Sequence, residues 1–216
     1  MIGLGLGALA HANAHAAYWD YEAPYWAELS VLQAAHAAEI LIKARIAQEH
    51  PLLIFEKLPG YDGVSETGLN FRSLIEKGRT VDYRDLPDRL WSTTGMKIDH
   101  PDIYQSYGRL RNAIQHFAIP EGEDMSHRVL EFIFKVIDPF INRCWKHFAI
   151  DHNEDTEGVV YLVPVLIKRQ IEFLVSPEVI KQTQWIDFPW DDDSPYRRTM
   201  QERIEAARSG RYGVNA

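Results

Sequence analysis

The strongest hydrophobic pattern in the chain lies in residues 125–148. Val129, Phe132, Ile133, Val136, Ile137, Phe140 and Ile141 recur there at helical spacing, predicting a long helix with one core stripe. Ser126 stands near its start as a cap, and Pro139 should bend it. Residues 102–119 carry a second stripe, Ile103, Tyr107, Leu110, Ile114 and Phe117. Residues 23–49 differ, being apolar on nearly every side, as expected of a helix buried within a bundle. Pro24 lies near the start of that helix and His50-Pro51 ends it.

Shorter patterns complete the picture. Residues 71–77 read as a helix capped by Gly78, and residues 83–91 as another that Pro87 begins or bends. Residues 51–55 read as a further helix start or an apolar packing segment. The stretch from Leu58 to Asn70 is turn-rich and reads as a loop. Residues 159–169 are apolar and then basic, and residues 171–175 read equally as a short strand or an apolar helix end. Ser194-Pro195 resembles a cap and first turn leading into a polar helix that Gly210 closes. Together these patterns predict a mainly all-α fold. The polar run Asp151 to Asp155 reads as a linker, dividing a helical domain (1–150) from a C-terminal appendage and tail (151–216).

Composition adds bounds. With 216 residues, 46% of them hydrophobic, the chain can bury a sizeable core in one domain and an elaboration. A single cysteine, Cys144, excludes an internal disulfide and suits a reducing compartment, so a cytoplasmic location is expected. The apolar start, Met1 to Ala10, lacks the basic flank of a secretory signal. No run reaches the roughly 18 apolar residues of a membrane span, so no membrane partner is expected. The net charge of −8 counts against general nucleic-acid binding, which phosphate neutralisation drives. An acidic protein that handles RNA must concentrate its positive charge locally.

One place where it does so is Leu110-Arg111-Asn112-Ala113-Ile114-Gln115-His116-Phe117. At about 100° per residue, Leu110, Ile114 and Phe117 fall together, while Asn112, His116 and Arg109 point away from them. Arg111 sits on the flank. A guanidinium binds phosphate through paired hydrogen bonds, and an imidazole exchanges protons near neutral pH. Asn112 and His116, at i and i+4, are neighbours able to orient one another. RNA brings its own nucleophile, the 2′-OH, so a base and a phosphate clamp suffice to cut it without metal. The plainer alternative is a solvated helix face that happens to include a histidine.

Arg111-Asn112-x-x-x-His116, between Leu110 and Phe117, resembles the signature of the HEPN family (higher eukaryotes and prokaryotes nucleotide-binding domain). The segment Gln33 to Ala44 resembles the long early helix of many of its members, and the similarity covers roughly residues 25–150. The resemblance implies a helical bundle and a homodimer that brings two Arg/His motifs together. It further implies a metal-independent endoribonuclease, with Arg111, Asn112 and His116 catalytic and no cofactor. Many members act as toxins or in defence against phage, which implies an antitoxin or defence-system partner; others only bind RNA, nucleotide or protein.

Several other residues invite a role. His36, Glu39 and Lys43 share one face of the 23–49 helix, either as a structural polar seam or, with Arg109, supporting the Arg/His site. His11 and His15 are at i and i+4 and could hold a metal if helical, but no Cys or Glu stands near them at a recognised zinc spacing. No metal site is therefore expected. Asp191-Asp192-Asp193 reads as a solvated acidic turn. Gly3-x-Gly5-x-Gly7 lacks the context of a nucleotide-binding loop.

Overall fold

The computed structural model describes residues 1–18, 25–60, 69–116, 122–154, 158–182 and 194–211. The protein is mainly all-α: α1 Ile2–Ala17, α2 Trp26–Glu49, α3 Phe71–Lys77, α4 Leu86–Thr94, α5 Pro101–His116, α6 Met125–Phe132, α7 Asp138–Trp145, α8 Gly158–Lys168, α9 Pro177–Gln182 and α10 Pro195–Arg208. A two-stranded antiparallel sheet joins β1 (Phe55–Lys57) to β2 (Arg79–Thr80), pairing Phe55 with Thr80 and Lys57 with Arg79. None of the described helices is long and apolar enough to cross a membrane.

Packing divides the chain into two compact units, Met1–Leu41 with Ile98–Ala216, and Ile42–Lys97. This differs from the expected division at residue 150. Helices α8 and α9 and the turn Ala149–Asp151 belong with α1, α6 and α7 in the first unit. The second unit has its own small core of Val81, Tyr83, Leu86 and Leu90 beside Ile42 and Ile46.

In the first unit, α1 occupies a segment to which the sequence pattern assigned no element. Small residues let it lie close to α2: a Cβ on Gly5 would stand 2.7 Å from Leu41 Cγ. That close approach, and not phosphate binding, accounts for Gly5 in the glycine-rich start. As expected of a helix buried in a bundle, α2 has Val31, Ala34, Ala35, Ala37, Ala38 and Leu41 in the core. Helix α5 packs through Tyr104, Tyr107 and Leu110, while Ile103 and Ile114 of the expected stripe are half-buried; Tyr107 stacks on Phe132 at 3.8 Å. The Tyr107 hydroxyl donates to the Val31 carbonyl at 3.3 Å.

The long helix over 125–148 forms as three pieces, α6, a π-helical turn Ile133–Ile137, and α7. The physical cause is Pro139, which has no N–H for the helical ladder and crowds the preceding turn. A wider π turn just ahead of it absorbs both problems without breaking the rod. Two details depart from expectation. The cap is Asp124, whose Oδ1 accepts from His127 N at 2.9 Å, and not Ser126. The rod ends at Trp145, where Lys146 turns left-handed with φ 60°, three residues before Phe148. At α10 the expected Ser194 cap is present, accepting from Arg197 N at 3.2 Å. Gly210, at φ 78°, follows that helix in the left-handed conformation that favours glycine.

Residues 171–175 are neither strand nor helix end. Side chains take the backbone groups that a sheet would have paired. The Leu174 N–H donates to Asp138, the Phe173 carbonyl accepts from Arg203, and the Ile171 carbonyl accepts from Tyr196.

Buried Asn13 ties α1 to the polar segment after α7. Its Nδ2 donates to the carbonyls of Ala149 and His152, each at 2.9 Å. Asn13→Ala strands the His152 carbonyl and weakens the turn at Ala149. We expect it to lower stability by about 1–3 kcal/mol, seen as a lower urea midpoint at unchanged slope.

Candidate functional site

The Arg/Asn/His motif forms the last turns of α5. Its inner neighbours, Tyr107, Gly108 and Leu110, are buried, whereas Arg109, Asn112 and His116 are exposed and Arg111 is half-buried. The orientation read from spacing therefore holds in the structure. Asn112 and His116 are one helical turn apart, about 6 Å along the axis.

Arg111 lies roughly 140° around the helix from His116 at 100° per residue, too far to share its face by direction alone. A hydrogen bond bends it round: Arg111 Nη1 donates to Asn112 Oδ1 at 3.0 Å. The asparagine thus holds the guanidinium toward the exposed face, leaving its other N–H groups available. Arg128 binds nearer the start of α5, its Nη2 reaching Ser106 Oγ at 3.5 Å and its Nε lying 3.7 Å from Glu123. The positive charge on the last turns of α5 is carried by Arg109 and Arg111.

The other residues singled out from sequence are distributed differently. His36 is exposed and Glu39 half-buried on α2. Lys43 is buried and donates to Thr80 Oγ1 at 3.0 Å within the second unit, a structural bond that fastens β2 to α2. The segments Trp185 to Trp190 and Asp191 to Asp193 lie outside the described residues.

Two clefts were not legible in the sequence. One, about 460 Å³, is lined by Asp99, His100, Lys135, Arg143, Glu172 and Arg203 among others. It runs beside the π turn, and two of its residues, His100 and Gln170, have left-handed backbones at φ 50° and 53°. Its arginines are paired, Arg143 with Asp99 and Arg203 with Glu172, both at 2.6 Å, so the cleft is not a bare anion site. The second, about 540 Å³, lies in the smaller unit beside Asp85, Asp88, Arg89 and exposed Trp91.

Below the first cleft lies Asp138, fully buried at the start of α7. One carboxylate oxygen accepts from Ala149 N at 2.8 Å and the other from Leu174 N at 2.9 Å. Burial pushes its pKa up to about 7, against the opposing pull of those two N–H groups and of Arg203. His152 is shifted the other way, down to about 4, by burial and by neighbouring His147. Compared with protein-family models, with curated proteins and with solved structures, the chain matches none.

Proposed function

We propose that the exposed end of α5 is an RNA-cleaving site of the metal-independent HEPN type. The observation that carries this reading is the Arg111–Asn112 hydrogen bond, which turns a phosphate-binding guanidinium toward the face bearing His116. In the reaction, His116 removes the 2′-OH proton as the oxygen attacks the adjacent phosphorus. The P–O5′ bond breaks, and the 5′ oxygen leaves with a proton from an acid. Arg111 binds the non-bridging oxygens and the charge that grows on them. Asn112 is a positioning residue, holding Arg111. The products are a 2′,3′-cyclic phosphate and a 5′-hydroxyl.

A single imidazole cannot serve as base and acid at the same moment. A homodimer that sets two α5 ends against one phosphate would supply both, and would also shield an otherwise open helix face from water. Toxin activity or phage defence, with an antitoxin or defence-system partner, fits a nuclease of this kind. The test is cleavage of RNA by untagged protein in chelator, paired with a measurement of its oligomeric state.

A second reading, a non-catalytic module that binds RNA, nucleotide or a protein partner, is favoured by a specific observation. Neither the cleft beside Arg143 nor that beside Trp91 includes Arg111, Asn112 or His116, and the chain is acidic. Retained RNA binding without turnover, weakened in Arg111→Ala, would support this reading in place of the first.

A further inference from the structure

We propose that His11, His15 and Glu154 form a binding site for a zinc-class divalent cation. The helix α1 places His11 and His15 one turn apart on one side, and Glu154 comes to them from the segment after α7. One ligating atom from each residue lies within 4.8 Å of the other two. Glu154 Oε1 accepts directly from His11 Nδ1, and Glu154 Oε2 lies 4.0 Å from His15 Nε2. Two imidazoles and a carboxylate are a common donor set for zinc, with bonds of about 2.0–2.2 Å. Such bonds need donors closer together than 4.8 Å, so the ion must draw them in. His11, the most exposed of the three side chains, is the one with room to move.

Three features distinguish this cluster from a chance surface ion pair. First, His15 is oriented from behind: its Nδ1 donates to Gln33 Oε1 at 2.8 Å. That bond engages Nδ1 and leaves Nε2 as the nitrogen on the Glu154 side, the outer-sphere arrangement found for metal-bound imidazoles. Second, the His15 ring lies against Trp26, with centroids 4.6 Å apart, so one wall of the site is apolar. Third, the segment carrying Glu154 is pinned by bonds that do not involve the histidines. Asn13 holds the Ala149 and His152 carbonyls, Asn153 Nδ2 donates to the Ile150 carbonyl at 2.7 Å, and Gly158 packs so closely on Asn153 that a Cβ would lie 2.3 Å away.

The side chains are graded in exposure, His15 at 16%, Glu154 at 38% and His11 at 54%. The site is therefore closed on the His15 side and open to water on the other. With three protein ligands, a bound ion would keep a fourth position for water or an exogenous ligand. Nitrogen donors favour zinc over magnesium and calcium, which prefer all-oxygen sites.

The experiment is calorimetric titration of ZnCl₂ into the untagged, chelator-stripped 216-residue chain, repeated with MgCl₂. The expected result is one zinc ion bound per chain and no magnesium binding. His11→Ala and Glu154→Gln should each weaken zinc binding at least tenfold. Gln33→Leu should weaken it about 10–100-fold through loss of His15 orientation. Replacement of His50, an exposed histidine elsewhere, should leave binding unchanged. His11 is exposed enough that its alanine variant keeps the fold, which circular dichroism verifies. Co²⁺ added in place of zinc should give visible absorption bands that His11→Ala abolishes. Absence of stoichiometric zinc binding, or binding unaltered in both His11→Ala and Glu154→Gln, would overturn the proposal.

Discussion

Asp138→Ala should destabilise the protein by about 3–5 kcal/mol, among the largest losses expected of any single substitution. The carboxylate bridges two stretches that share no ladder, accepting from Ala149 N and Leu174 N. Alanine leaves both amides without their acceptor and opens a cavity at the start of α7. Asp138→Asn retains one acceptor and presents an amide group to the second N–H, so its cost should be smaller. The aspartate also sets a pH dependence. Its folded pKa of about 7 lies above the unfolded value of 3.8, so the folded state holds a proton that the unfolded chain releases. Its contribution is full below about pH 4 and is lost as pH rises through about 7, at up to about 1.4 kcal/mol per pH unit. His152, lowered to about 4 from 6.5, has the opposite sign: its contribution is present above about 6.5 and lost as pH falls through about 4. The difference between wild type and Asp138→Asn, followed by urea unfolding from pH 4.5 to 8, isolates the aspartate. A wild-type advantage that shrinks as pH rises is expected; one that grows would show that Asp138 is ionised throughout.

His116→Ala should reduce metal-free RNA cleavage by roughly 10²–10⁴-fold, the usual worth of general acid–base assistance. His116 is exposed at the end of α5, and circular dichroism checks that the variant compared is folded. Arg111→Ala should be comparably damaging. Arg111→Lys should recover only a small part, since an ammonium cannot make the paired hydrogen bonds of a guanidinium. Asn112→Ala offers a sharper test of positioning. If Asn112 acts by holding Arg111, its loss should add little to Arg111→Ala, whereas an independent role would make the two losses add. Initial rates on one short RNA, measured for single and double variants, give that comparison.

Much of this was legible in the chain. Periodicity placed α2, α5 and the α6–α7 rod, because each buries a stripe or a whole surface and the pattern records burial. It also predicted that Asn112 and His116 face outward. Local capping chemistry was readable at Ser194 and Gly210, but at α6 the choice between Asp124 and Ser126 depended on where the first turn begins. What pattern missed was whatever depends on partners distant in sequence. Residues 171–175 have strand-like composition, yet Asp138, Arg203 and Tyr196 claim their backbone groups. The short sheet formed instead at Phe55–Lys57 and Arg79–Thr80, too brief to show alternation. Spacing around His11 and His15 disclosed no carboxylate, because Glu154 reaches them through the fold. Lys43 read either as part of a polar seam or as support for the Arg/His motif; its bond to Thr80 pairs residues 37 positions apart, which spacing does not disclose.

We propose that the α5 face cuts RNA with its own side chains. This is tested most directly by incubating a mixed RNA pool with wild-type protein or His116→Ala in excess chelator, then analysing the new ends. Cleavage by the wild type alone, with 2′,3′-cyclic phosphate and 5′-hydroxyl termini, is the expected result. Equal cleavage by both proteins, or none by folded, dimeric wild type, would contradict it.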